Sequence, residues 1–412
     1  MAKENIIAAL DIGTKKVLTL VARIGEDGKV SFIGKGVAEN DHGLIAGDVV
    51  DVQATARTIQ ESVKEAEKTV SKSCTITSVF VGISGERISS INSTGAVEVR
   101  GREVAQTDID RVIEQAKIVP MSDDSEIINV EIGEFTVDGR SGIRNPIGMI
   151  CRKLEVSVLI VTASRTMLRN LIKAVEDSGL RLNDLLVSGI ASSWAVLEQE
   201  EKNLGCALID IGDGVSDVVI YYDGNPVYVS VVPMGGRFIT DDISKVMKIP
   251  PTNAEEIKCK YGSARPEFVE DSEEFEAKII GMSTTQQKKV KQLATVMSPR
   301  IEEILIEIKK KLTASQKESL IQTNVVITGG TASLKHIQEV ATEVFEQTVR
   351  VGKPQIQAYG SGVDDVVNSP FASTAVGIIN YFAVHNKMKS RNKDGFLGFL
   401  VKIADFFKKF VE

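Results

Sequence analysis

Apolar and polar positions alternate along the first forty residues in three runs, Ile6–Ile12, Lys16–Ile24 and Val30–Val37. A period of two predicts a strand meander, with its first clear turn at Gly25–Gly28. The spacing of Ile59, Val63, Ala66 and Val70 predicts a helix over Ala54–Thr69, and Val79–Ile83 reads as a buried strand. The texture changes from Gly85 to about Val161. Short β stretches (Gly95–Val99, Ile127–Phe135, Leu154–Val161) bracket one helix, Gln106–Ile118, whose first turn carries Asp108 and Asp110 to complement its dipole. This segment reads as a self-contained α+β insert. Helical spacing returns over Ser164–Ser178, stopped by Gly179, then a strand at Leu182–Val187 and a helix at Gly189–Gln199 whose Trp194 reads as core. Residues 262–287 are acidic and weakly periodic, a solvated hairpin or loop. A long helix over Lys288–Leu312, interrupted near Pro299, precedes a closing helix at Phe371–Ala383.

One pattern occurs twice. Ile6–Ala22 and Cys206–Tyr221 are each an apolar strand, an Asp-Ile-Gly, a polar turn and a second apolar strand, roughly 200 residues apart. Glycines at such turns let backbone N–H groups approach an anion. An aspartate ending the first strand can hold a hydrated Mg²⁺ against phosphates. The candidates are Asp11, Gly13, Thr14, Lys15 and Lys16 in the first loop, and Asp210, Gly212, Asp213, Gly214, Val215 and Ser216 in the second. Asp11 and Asp210 are the metal candidates, through water. Two lobes, each offering a loop and a carboxylate, would clamp a nucleoside triphosphate between them. A third signal, Val325–Thr331, is a buried-type strand ending at Gly329 and Gly330 before Thr331, where a backbone can approach a flat ligand closely. Gly235 and Gly236 open a helix whose N–H groups favour an anion or a ribose hydroxyl. Glu255 and Lys258, three apart, share a helix face.

With these motifs the chain resembles the actin, Hsp70 and sugar-kinase ATPase superfamily and, within it, the FtsA family of bacterial cell-division proteins. Asp11-Ile-Gly-Thr resembles the first phosphate motif, Asp210-Ile-Gly the second, Thr328-Gly-Gly the adenosine motif and Ser373–Gly377 the helix that follows. Ala254–Lys258 resembles a helix that touches the adenosine. Where bacterial members usually have Gly-Gly-Gly-Thr this chain has Gly212-Asp-Gly-Val215, similar to eukaryotic actins, and Val215 removes a hydroxyl. The resemblance implies a two-lobed, ribonuclease H-like α/β fold, with ATP and Mg²⁺ as ligands. It implies a first lobe at 1–83, 163–195 and 362–385, an inserted subdomain at 84–162, a second-lobe core at 196–235 and 305–361, and a nucleotide and partner subdomain at 236–304. It further implies self-association into filaments, other division proteins meeting the insert, and the C-terminal tail peptide of FtsZ docking near Arg300. In the related MreB a glutamate at the start of the helix before the second loop orients the attacking water. Here that neighbourhood, Ser188–Trp194, has no carboxylate, so slow turnover is expected.

Composition narrows the classes. The 412 residues allow several domains, and 43% apolar with 25% charged residues is ordinary for a soluble chain. A net charge of −7 argues against a nucleic-acid partner. Cys74, Cys151, Cys206 and Cys259 are scattered, the expectation for reduced thiols in the cytosol, and no signal peptide or spanning helix is expected.

The last segment changes the picture again. A basic linker, 386–395, leads into 396–412. At about 100° per residue Phe396, Phe399, Leu400, Ile403, Phe406, Phe407 and Phe410 share one face, opposite Lys402, Asp405 and Lys409. Such an amphipathic helix reads as an anchor on an anionic membrane surface. The expectation is therefore an ATP-binding, polymer-forming protein that tethers the FtsZ ring to the cytoplasmic side of the membrane at the division septum. The alternative is an enzyme of the same fold, a sugar kinase or phosphatase, for which Asp213 and Asp217 are the nearby carboxylates that could serve as a base.

Overall fold

The computed structural model describes residues 5–391 apart from 26, 41–42, 71–74, 283 and 357–362. The chain runs β1 (Asn5–Ile12), β2 (Lys16–Ile24), β3 (Val30–Glu39), β4 (Leu44–Ile45), β5 (Asp48–Val49), α1 (Val52–Val70) and β6 (Ser78–Ile83). The insert follows as β7 (Ser89–Glu103), α2 (Gln106–Ala116), β8 (Ser125–Val137), β9 (Arg140–Ile143) and β10 (Ile150–Ser164). Then come α3 (Arg165–Asp177), β11 (Arg181–Val187), α4 (Ser188–Val196) and α5 (Gln199–Leu204). The second lobe comprises β12 (Cys206–Ile211), β13 (Ser216–Tyr222), β14 (Asn225–Val232), α6 (Gly236–Met247), α7 (Pro251–Tyr261), β15 (Glu274–Lys278), β16 (Thr285–Lys289), α8 (Val290–Ala314), β17 (Val325–Thr328), α9 (Ile337–Phe345) and β18 (Val349–Val351). The chain then continues with α10 (Asp364–Val367) and α11 (Ser373–Arg391).

The duplicated hairpin is the centre of a duplicated sheet. The first sheet has the order β11-β6-β1-β2-β3, and the second opens with β18-β17-β12-β13-β14. In both, an antiparallel meander is extended on one side by two parallel strands. Alternation explains how the second sheet is held. Cys206 and Leu208 of β12 face the core shared with the first lobe, while Ala207, Ile209 and Ile211 face a separate core under α6 and α8. A sheet buried on both faces needs near-continuous apolar strands, which β12 and β13 supply.

The insert has a third core of its own, with α2 packed on β7 and β10 through Val97, Val112, Ile113 and Leu154. Its strands run well beyond the short stretches expected, because their outer halves alternate with exposed polar residues and carry little apolar signal. The insert leaves the chain after a first-lobe strand, yet its sheet joins the second lobe, through the bridge Ser230↔Ser89 at the edge of β14.

Four expectations are corrected. Helix α8 runs unbroken through Pro299. Proline costs about 3 kcal/mol in a helix interior, but Leu293, Met297, Ile301, Ile304 and Ile308 form one buried stripe across it and outweigh that loss. Lys288 and Lys289 belong to β16 rather than to the helix. The acidic 262–287 segment is a hairpin in part, and it is less solvated than expected, since Phe275 and Ala277 are buried between exposed Glu274, Glu276 and Lys278. The polar stretch after His385, expected as linker, continues α11 to Arg391. The amphipathic segment 396–412 lies outside the described residues.

Candidate functional site

Both hairpin tips open into one cleft of about 300 Å³ between the sheets. At the first tip Gly13 N donates to the Lys16 carbonyl at 3.0 Å, and at the second Gly212 N donates to the Val215 carbonyl at 2.9 Å. A Cβ on either glycine would stand 2.9 or 3.0 Å from that carbonyl, so both turns are as tight as a side chain would forbid. A Cβ on Gly214 would reach Thr14 Oγ1 at 2.5 Å, so the tips face each other across the cleft.

The cleft is lined by Asp11, Gly13, Thr14, Lys15 and Lys16 from the first tip and Asp210, Gly212, Asp213, Gly214 and Val215 from the second. Glu255 and Lys258 line it from α7, and Gly329, Gly330 and Thr331 from the turn after β17. Ser216, Gly235 and Gly236 do not line it. The Ser216 hydroxyl is turned away to donate to the Met234 carbonyl at 2.8 Å, and Gly235 and Gly236 stand behind the second loop, where Gly236 N donates to the Gly212 carbonyl at 2.9 Å. Thr331 Oγ1 donates to the same carbonyl at 2.9 Å and fixes the loop against the glycine pair.

Glu255 and Lys258 are an ion pair at 2.7 Å. Lys258 Nζ also donates to the Gly236 carbonyl at 3.0 Å and to Thr240 Oγ1 at 2.9 Å. Burial alone would raise the Glu255 carboxyl, but Lys258 and the Thr240 hydroxyl hold it below the usual range. This wall is pre-ordered and polar.

The floor is different. Burial, then the neighbouring charge of Asp210, pushes Asp11 up to about 7. Burial also raises Asp210, against hydrogen bonds from Ser192 and Thr374. Asp217 stands directly across from Asp210 on β13 and accepts a hydrogen bond from Ser84 Oγ at 2.8 Å; burial first, then Asp210, puts it well above the carboxylate range. Among the described residues no cation offsets these three shifts. Crowded carboxylates raised by burial and by one another, beside two backbone cradles, fit a hydrated divalent cation carrying an anion.

Several lining residues had no sequence signal of their own. Ser84, Ser188, Cys259, Leu334, Phe371 and Thr374 all line the cleft. Thr374 lies inside the Ser373–Gly377 motif, which offered a way to it; the serines sit in apolar helices and turns and look like filler. Cys259 donates to Glu255 Oε1 at 3.3 Å, and burial lifts its thiol to about 11. Arg300 lies outside the cleft, in a fork with Asp242 (2.6 and 3.2 Å) and Glu303 (2.5 Å).

This architecture can be compared with known proteins. The family model described as cell division protein FtsA matches residues 207–377, and that of the SHS2 domain inserted in FtsA matches 85–162. Cell division protein FtsA of Pseudomonas aeruginosa is 35% identical over 92% of this chain and 89% of its own. That of Neisseria meningitidis is 37% identical over 92% and 90%. The chain belongs to the FtsA family of cell-division proteins. Among solved structures, the PilM–PilN type IV pilus biogenesis complex superposes with a TM-score of 0.64 at 16% identity, over 92% of this chain and 98% of that one. MreB5 of Spiroplasma citri bound to ADP gives 0.52 at 13%, over 95% and 99%. The fold is therefore the expected actin-like one, with an SHS2 insert. FtsA membership does not favour the sugar-kinase alternative. Among the described residues no helix is long and apolar enough to cross a membrane.

Proposed function

We propose that this FtsA-family chain binds Mg·ATP in the cleft, assembles into filaments, and tethers FtsZ to the cytoplasmic face of the membrane through residues 396–412. The observation that carries the reading is the convergence of two matching glycine turns, with Asp11 and Asp210, on one cleft. In this reading Asp11 and Asp210 hold the hydrated cation, and the backbone amides of the two turns cradle the phosphates. Gly329 and Gly330 give the flat base close access, and Glu255 and Lys258 take the sugar side. When bound, Mg²⁺ supplies positive charge that neutralises triphosphate and floor carboxylates together.

Hydrolysis is slow in this reading. The helix below the second loop presents hydroxyls rather than a carboxylate: Ser188 lines the cleft and Ser192 is spent on Asp210. ATP then acts as an assembly switch. Arg300 of α8, held in its fork by Asp242 and Glu303, is the contact for the tail peptide of FtsZ, and residues 84–162 meet other division proteins.

The test pairs calorimetry with flotation on liposomes containing anionic lipid. The full chain should bind Mg·ATP and float. A chain ending at 395 should keep ATP binding and stop floating. Failure of the full chain to bind Mg·ATP, flotation that survives the deletion, or unstimulated turnover of many per second overturns the proposal.

A further inference from the structure

Three consecutive residues of α4 face three different parts of the molecule. Ser192 Oγ donates to Asp210 Oδ2 at the cleft floor. Ser193 Oγ is 2.5 Å from the Tyr221 hydroxyl of the second-lobe sheet. Trp194 packs on the far half of α11, edge-on to Tyr381 at 5.4 Å and to His385 at 5.7 Å, and its carbonyl accepts from Asn380 Nδ2 at 3.3 Å.

Helix α11 has the same division of labour. Its first turn carries Thr374, whose hydroxyl donates to Asp210 Oδ2 at 3.2 Å and lies 3.0 Å from Ser192 Oγ. Two turns later its Tyr381 and His385 rings stack on each other, with centroids 4.0 Å apart, against Trp194. Between these ends the two backbones touch: a Cβ on Gly377 would stand 1.7 Å from the Ala191 carbonyl. Helices in such contact cannot slide independently, so a displacement at one end is carried to the other.

Trp194 also meets the insert's environment. The Lys202 ammonium sits 5.0 Å over the Trp194 ring and 5.3 Å over the Tyr221 ring. Burial first pulls Lys202 down, to about 8, while Glu131 of β8 in the insert acts on it in the opposite direction. Trp194 thus packs on α11 and on Lys202, whose ammonium also covers the Tyr221 ring of the second-lobe sheet. It does not line the cleft.

We infer that α4 and α11 act as one relay, by which occupation of the cleft at Asp210 is read at Trp194 and along the distal half of α11. This rests on the Mg·ATP reading of the cleft and adds its regulation. Ser192 and Thr374 both donate to a single carboxylate oxygen. A cation at Asp210 competes for that carboxylate, so the two hydroxyls, one on each helix, shift together. The differential contact between occupied and empty states that coupling requires is located at these two bonds.

Trp194 is the chain's one tryptophan, so its emission reports the relay directly. The experiment uses the full chain, calorimetry for occupancy, Trp194 emission, and amide exchange over residues 378–391. Saturating Mg·ATP should change both the emission and the exchange in the parent protein. Asn380→Ala, outside the cleft, should retain ATP affinity and lose more than about half of the emission response. Ser192→Ala should lose as much at saturation, whatever its affinity. Should Ser192→Ala fail to fold, the parent and Asn380→Ala still decide. Mg·ATP binding with silent Trp194 and unchanged α11 exchange overturns the relay alone, as does a full response in Asn380→Ala. Absence of Mg·ATP binding overturns the relay together with the reading of the cleft.

Discussion

The tips of the β1–β2 and β12–β13 hairpins share a turn, a hydrogen bond and a place facing the cleft, but not a neighbourhood. Opposite Asp11 on β2 stands Leu18, whereas opposite Asp210 on β13 stands Asp217. Asp210 receives hydroxyls from α4 and α11. Asp11 is governed by burial and by the charge of Asp210, which push it up to about 7. The backbone cradle is duplicated, and the electrostatics are not. One carboxylate is wired into the helices between the sheets, and the other is raised by burial and by its neighbour's charge.

The largest effect should come from the glycine pair, because it touches only one side of this comparison. Gly329 has φ +89, and a Cβ there would stand 2.3 Å from Asp210 Oδ1 and 2.6 Å from the Ile211 carbonyl. Gly329→Ala combines left-handed strain with a clash and should cost roughly 4 kcal/mol. At Gly330 the nearest atom to a Cβ is 4.0 Å away, so Gly330→Ala should stay within about 0.5 kcal/mol. Denaturant melts measure both. Equal costs would show that the second tip is not held through Asp210.

Next come the two carboxylates. Asp11→Asn removes a buried charge that has no hydroxyl to replace, and should stabilise the nucleotide-free protein above pH 7 by roughly 3 kcal/mol. Asp210→Asn gives up acceptor capacity used by Ser192 and Thr374 and should gain less. Both should weaken Mg·ATP binding more than about hundredfold. The decisive number is the stability difference between the two variants. A larger gain from Asp210→Asn would reverse the assignment.

How much of this was visible beforehand follows from range. The meander was legible because β1, β2 and β3 alternate and their turn glycines lie within a few residues. The twin tips were legible because Asp-Ile-Gly repeats between apolar strands. Ser192 was not, and Thr374 only as part of the Ser373–Gly377 motif, although both hold Asp210, since a hydroxyl in an apolar helix has no period and acquires its role from contacts 18 and 164 residues away. Pro299 misled for a related reason: its local cost is fixed, while the stripe that outweighs it, from Leu293 to Ile308, packs on partners distant in sequence. The polar residues after His385 suggested a linker although the helix continues, because Lys and Arg are compatible with either state.

The asymmetry also has a pH signature. Folded Asp11 keeps its proton up to about pH 7, whereas an unfolded one loses it near 3.8. Between these values the folded state binds more protons, so stability present below about pH 4 is lost as pH rises through 7 and then levels off. In metal- and nucleotide-free protein Asp11 should contribute at most about 1.4 kcal/mol per pH unit to the slope, and Asp11→Asn should flatten it by that much. Added Mg·ATP should flatten it as well, since the bound cation favours the ionised form. Melting curves from pH 4 to 9 provide the check, and an unchanged slope in Asp11→Asn would move the titration to Asp210 or Asp217.

The smallest expected effect tests whether the two tips also share something. Ser84, which follows β6 of the first lobe, donates to Asp217 of β13 in the second, and Asp217 is coupled to both Asp210 and Asp11. Ser84→Ala deletes one hydrogen bond between the lobes and should cost about 1 kcal/mol. Without that donor Asp217 holds its proton more tightly, so its charge weighs less on both neighbours. Measured in the Asp11→Asn and Asp210→Asn backgrounds, the cost of Ser84→Ala should therefore be nearly the same in each. A cost that vanishes in only one background would mean that Asp217 belongs to one tip, and the floor would then be a pair and a bystander instead of three coupled carboxylates.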